Sequence, residues 1–193
     1  MGLVSILSFA QKLMAERVQL GSVVIDATVG NGVDSLFLAT LVGPNGVVYG
    51  FDVQETALAN ARQRLQTNGV WDVHTIRLFA IGHQELMNNI DSNHIGIVSG
   101  VMFNLGYLPG SSEQHLITLP ATTIQALEAS CSVLKQGGLI TIVIYTGHDG
   151  GEQEAMAVEQ WATSLPQFQF DVVRYQFLNR KKGTPYVIAI EKK

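Results

Sequence analysis

Short apolar runs rich in Val and Ile alternate along the chain with longer stretches in which apolar residues return every three or four positions. The first pattern predicts buried strands and the second amphipathic helices packed beside them. Strands are expected over Val23–Asp26, Gly46–Asp52, Val73–Phe79, Ile95–Asn104 and Leu139–Tyr145. Helices are expected over Ile6–Leu20, Asp34–Leu41, Glu55–Gly69, Thr122–Gly138 and Glu152–Leu165, with glycine ending the third and Gly-Gly the fourth. The C-terminus breaks the alternation. "FQFDVVRYQFLN" and "PYVIAIEK" are two strand patterns joined by a short turn, and so short a link demands antiparallel pairing. The predicted architecture is α/β: a doubly wound, mostly parallel seven-stranded sheet with an antiparallel hairpin at its C-terminal edge. No repeat or linker divides it, so residues 1–193 read as a single domain, with residues 1–21 forming a helix packed on it.

Composition supports a folded globule. Hydrophobic residues make up 47% and charged residues 15% of 193 positions. A net charge of −4 argues against gripping nucleic acid by bulk electrostatics and leaves room only for a local basic patch. The single cysteine, Cys131, excludes an intrachain disulfide and a zinc-type cysteine cluster, and it sits in a helical pattern as a small core residue. No metal site is expected. No apolar run is long enough to span a bilayer, and the N-terminus lacks a signal-peptide pattern, so a cytoplasmic location is expected.

The candidate chemistry begins at "VVIDATVGNGVDS". In doubly wound sheets ligands sit outside the carboxyl ends of the strands, where the strand order reverses. Gly30 and Gly32 let the backbone turn sharply there and approach a ligand closely. A dinucleotide fingerprint wants a third Gly or Ala where Ser35 stands, and Asp26 and Asp34 would repel a pyrophosphate. Those two acids suit a cation. Asp52 ends the second strand, where an acid commonly holds the hydroxyls of an adenosine ribose. An adenosine with a cationic tail is S-adenosyl-L-methionine. The set Asp26, Gly30, Asn31, Gly32, Asp34 and Asp52 therefore reads as its site, with His83 after the third strand near the adenine. The competing reading makes the glycines plain turn residues, Asp34 an N-cap and His83 a surface or capping histidine.

The fourth strand closes in "MFNLGYLPG". The carbonyl of Asn104 suits accepting hydrogens from a target amino group and aiming its lone pair, and Tyr107 suits covering an acceptor base. The fifth strand ends in "YTGHDGGEQE", which brings Tyr145 and His148 to the same sheet edge. His148 is a candidate proton acceptor because its reference pKa lies near neutrality, with Tyr145 as the other candidate, acting directly or through water. The alternatives are a strand-ending Asn104 and a loop histidine. Glu154 reads as a first-turn helix acid.

Taken together, "DATVGNGVDSLFLA", "GFDVQETAL", "MFNLGYLPG", "TTIQAL", "GGLITIVIYTGHDGGEQE" and "YQFLN" resemble the "putative rRNA methylase" family of small class I, Rossmann-like methyltransferases, from about Val23 to the end. The resemblance implies S-adenosyl-L-methionine as donor, the aminomethyl group of a tRNA wobble 5-aminomethyl-2-thiouridine as acceptor, and a methylaminomethyl product. The cofactor residues it carries over are Gly30, Asn31, Asp34, Asp52, Gln54 and His83. The chain departs from the family's pattern at Gly110-Ser111-Ser112-Glu113 and over Asn179–Pro185, in loops suited to touching RNA.

Arg174, Arg180, Lys181 and Lys182 form the one basic cluster and are the candidate tRNA landing site; a solvated turn is the alternative. Other acceptors consistent with the residues are ribosomal RNA and a small-molecule amine. A nucleotide-dependent oxidoreductase and a non-catalytic RNA-binding module are the readings from other classes. A homodimer is left open.

Overall fold

The computed structural model describes residues 2–106, 117–181 and 183–193. Five parallel strands are β1 (Val23–Asp26), β2 (Val47–Phe51), β3 (Ile76–Phe79), β4 (Val98–Leu105) and β5 (Leu134–Ile144). β6 (Phe170–Tyr175) and β7 (Tyr186–Lys192) complete a seven-stranded sheet in the order β3-β2-β1-β4-β5-β7-β6, with β7 antiparallel to both neighbours. The helices are α1 (Ile6–Arg17), α2 (Val33–Val42), α3 (Glu55–Thr67), α4 (Leu86–Asn89), α5 (Pro120–Val133) and α6 (Gly151–Ser164). Two single-turn 3-10 segments, His83–Glu85 and Ser92–His94, precede α4 and β4.

Strand order reverses between β1 and β4, and a crevice opens outside their carboxyl ends. Asp26 lies level with Gly50 and Met102, and Asn104 with Val143, so β1, β2, β4 and β5 end at one edge. Side chains alternate across the pleat and build two core layers. Ile25, Val101, Phe103 and Ile142 face α4, α5 and α6, whereas Val24, Met102 and Val143 face α1, α2 and α3. α1 buries Ile6, Ala10 and Met14 at helical spacing and is capped by Ser5, whose hydroxyl accepts the Ser8 N–H at 3.2 Å. Glycine at position 100 lets it lie close over β4, because a Cβ there would meet the Met14 sulfur. No helix among the described residues is long and apolar enough to cross a membrane.

Several boundaries differ from those expected. β3 starts at Ile76 rather than Val73 because Asp72 gathers the N–H groups of His74, Thr75 and Ile76 into a turn. β4 starts at Val98, since Gly96, at φ +81°, turns the chain and bonds to Val133 instead. The Gly-Gly pair does not stop α5. The helix ends at Val133, where Lys192 Nζ donates to the carbonyls of Cys131 and Leu134, and both glycines fall inside a bulged start of β5. The link between β6 and β7 is not a short turn but spans residues 176–185, and β7 threads between β5 and β6.

Candidate functional site

Two cavities of about 270 Å³ and 290 Å³ open at the crevice and share Thr28, Gly30, Asn104 and Gly106 in their walls. The first lies over the end of β2. Asp52 follows that strand, and its two oxygens accept the N–H groups of Gly30 and Gln54, each at 2.9 Å. Burial pushes the Asp52 carboxyl above its usual range while those two bonds oppose the shift. Each oxygen keeps a further lone pair for a hydroxyl donor. Gln54 is 9% exposed, and its side-chain oxygen is buried without a partner among the described residues, so the wall of this cavity carries an acceptor awaiting a donor. His83 also lines it. Burial pushes its ring down to about 4, against a bond with the Ala27 backbone, and it packs edge-on to Phe103 as a neutral wall residue.

The second cavity lies between the turn after β1 and α1, which contributes Leu7 and Gln11. Asp34, in the first turn of α2, faces it; its carboxylate accepts Gln11 Nε2 at 2.9 Å and Asn104 Nδ2 at 2.6 Å. Asn31 lines it too and ties the turn to α3, accepting from Asn60 Nδ2 and, through its carbonyl, from Arg64 Nε. Gly32, at φ +73°, packs against Ala61, where a Cβ would stand 2.5 Å from the Ala61 Cα. Tyr145 completes the wall, and burial, then the Asp34 charge, raise its phenol above the usual value.

Asp26 and Gly32, expected beside the ligand, line neither cavity among the described residues. Asp26 is fully buried beneath the turn, accepting Ser35 Oγ at 2.5 Å and the Thr28 N–H at 3.3 Å. Burial, and next the neighbouring Asp34 charge, push its carboxyl up to about 7. Gly30, Asp52, Gln54 and His83 border the first cavity; Gly30, Asn31 and Asp34 border the second.

Asn104 stands where the cavities meet. Its N–H donates to Thr28 Oγ1 at 2.7 Å, and its amide NH2 is committed to Asp34, which leaves the amide oxygen to accept. His148 lines neither cavity. It sits behind Gly106, with Nδ1 2.9 Å from the Asp149 carbonyl and Nε2 3.5 Å from where a Gly106 Cβ would be. Tyr107 lies outside the described residues, as does Lys182.

The rest of the basic cluster is partly engaged. Arg174 pairs with Glu159 at 2.9 Å and Arg180 lies over the Phe177 ring at 5.3 Å, while Lys181 is exposed. The link carrying Arg180 and Lys181 touches the loop after β5, where Gly183 backs onto Gly147. Sequence reasoning passed over two contributors: the α1 wall, which no motif marks, and Glu154, read only as a helix-start acid. Glu154 is 2% exposed and accepts the hydroxyls of Thr118 and Thr123.

The donor set fits an adenosine with a cationic tail. An acid and an orphaned acceptor serve hydroxyl and amino donors in one cavity, and a carboxylate faces the other. No Lys or Arg lines either cavity among the described residues, so a pyrophosphate would find no cation. Residues 48–191 match the family described as "Putative rRNA methylase". The chain is 39% identical over 177 residues to the chloroplastic "tRNA (mnm(5)s(2)U34)-methyltransferase" of Arabidopsis thaliana, covering 89% of this chain and 64% of that relative's length. A crystal structure of a "putative rRNA-methylase" from Clostridium thermocellum superimposes with a TM-score of 0.94 at 39% identity, over the full length of both chains. One of a "putative methyltransferase" from Streptococcus mutans in complex with SAH gives 0.87 at 33% identity, again over both full lengths. The chain belongs to the putative rRNA methylase family of class I methyltransferases.

Proposed function

We propose that the protein is an S-adenosyl-L-methionine-dependent N-methyltransferase acting on the aminomethyl group of tRNA wobble 5-aminomethyl-2-thiouridine, giving the methylaminomethyl derivative. The observation that supports this most is the junction of the two cavities at Asn104, whose amide NH2 is held by Asp34 so that its oxygen is left to accept. The name of the Arabidopsis relative, a "tRNA (mnm(5)s(2)U34)-methyltransferase", supports a tRNA acceptor.

Asp52 holds the ribose hydroxyls, and Gln54 and the His83 wall border the adenine. Asp34 and Asn31 take the cationic methionine tail, with Gly30 between the two cavities. When bound, the donor supplies an electrophilic methyl group on a sulfonium. The protein must then present a neutral amine, because an ammonium has no lone pair. At a lysine-like pKa near 10.4 this costs about 4–5 kcal/mol at pH 7. Asn104 accepts an amine N–H and aims the lone pair, which is the positioning contribution. Tyr145 stays a phenol at neutral pH and orients the acceptor. Proton acceptance falls to His148 through water. The basic cluster of Arg180, Lys181 and Lys182 receives the tRNA backbone.

Incubation with isotope-labelled donor and tRNA carrying the aminomethyl group tests this directly. Nucleoside mass spectrometry should find the label in the wobble nucleoside and none in tRNA lacking that group. Label in ribosomal RNA or in a free amine instead would overturn the acceptor assignment.

A further inference from the structure

We infer that Glu154 is a positioning residue that fixes the backbone of Gly106, and through it Asn104, at the junction of the two cavities. The inference rests on the methyltransferase reading of that junction. Glu154 stands in the first turn of α6, 2% exposed, and among the described residues its partners are two hydroxyls rather than a cation. Its Oε2 accepts Thr118 Oγ1–H at 2.6 Å and its Oε1 accepts Thr123 Oγ1–H at 2.7 Å. Thr118 Oγ1 in turn accepts the Gly106 N–H at 2.9 Å, and the Thr118 N–H returns to the Gly106 carbonyl at 3.0 Å. Gly106 borders both cavities two positions after Asn104.

The direction of these bonds carries the argument. A side chain that accepts at both oxygens makes both threonines point their hydrogens at it. The Thr118 lone pairs are then left for Gly106, so the acid on α6 sets the polarity of a relay that ends on the reacting edge of β4. A Gln at 154 has the same shape but must donate with one arm. Where that arm meets Thr118, the hydroxyl hydrogen loses its acceptor and the grip on Gly106 weakens. Burying an acid is costly where a neutral residue of the same shape fits, and for packing alone Gln would serve.

Three variants test this: Glu154→Gln, Thr118→Val and Thr123→Val. The first two interrupt the relay to Gly106; the third removes the other bond to Glu154 and spares the relay. Amide hydrogen exchange at Gly106, read by NMR on the protein without substrates, should quicken about tenfold or more in Glu154→Gln and Thr118→Val. In Thr123→Val it should stay within about threefold, at a comparable loss of melting temperature. Single-turnover methyl transfer should fall about tenfold or more in Glu154→Gln while donor Kd moves less than about threefold. If Gly106 exchange is unchanged in Glu154→Gln, or if Thr123→Val matches it, the inference is overturned. Should Glu154→Gln not fold, Glu154→Asp, which keeps the charge and withdraws the carboxylate from Thr118, decides by the same exchange. A wild-type protein that transfers methyl to no acceptor defeats the methyltransferase reading, and the exchange experiment still judges the relay.

Discussion

Replacing Asp26 by Asn removes a carboxyl that the fold keeps out of water beneath the turn after β1. Its pKa rises from 3.8 to about 7, first from burial and then from the Asp34 charge, with the Ser35 and Thr28 bonds acting the other way. In the unfolded chain the group ionises near its ordinary value. A folded pKa raised above the unfolded one gives stability that is complete below about pH 4 and is lost as pH rises through 7. A shift of about three units corresponds to at most about 4 kcal/mol, at 1.36 kcal/mol per unit. Asn mimics the neutral acid in shape and has no charge to bury. Denaturant unfolding of both proteins at intervals from pH 4 to pH 8 isolates the contribution of Asp26 together with its coupling to the Asp34 charge. The wild type should hold its own at pH 4 and lose about 1–4 kcal/mol relative to Asp26→Asn by pH 8. A stability difference that stays flat across this range would refute the buried-acid reasoning.

Asp52→Ala should weaken donor binding by about one to several powers of ten, because charge-assisted hydrogen bonds of about 1.5–3 kcal/mol each are lost; calorimetry on the folded variant reads it. Under single-turnover conditions Asn104→Ala should lose rate by orders of magnitude while still binding donor. His148→Ala should be less impaired at high pH, where solvent supplies free amine, and a deficit equal at every pH would remove it as the proton acceptor. Replacing Arg180, Lys181 and Lys182 together by Ala should raise the KM for tRNA and flatten its salt dependence without changing donor affinity.

The strands and the turn that borders the crevice were legible because their signals are local. Three apolar residues followed by Asp26, two glycines and a helix start announce a strand, a tight turn and a ligand edge, and β1 and α2 follow that reading closely. Gln54 came only from the family resemblance. Its orphaned oxygen becomes visible only once β2 and α3 are folded. What the sequence hid depends on residues far apart in the chain. Lys192 caps α5 from the last strand, so the Gly-Gly pair was free to enter β5. Gln11 reaches Asp34 from the N-terminal helix, which converts an expected packing helix into a cavity wall. Glu154 on α6 joins Thr118, just ahead of α5, and Thr123, within it, and neither threonine stands in a spacing that pattern reasoning can weigh. The link over residues 176–185 looked like a turn because strand propensity runs past Tyr175 into Phe177, whose ring instead packs edge-on to Tyr175.

Nucleoside mass spectrometry of tRNA from a strain lacking this gene tests the proposed reaction most directly. Loss of the wobble methylaminomethyl nucleoside with accumulation of its aminomethyl precursor, restored by the wild-type chain and not by Asn104→Ala, is the predicted result. An unchanged wobble nucleoside in the deletion strain would contradict it.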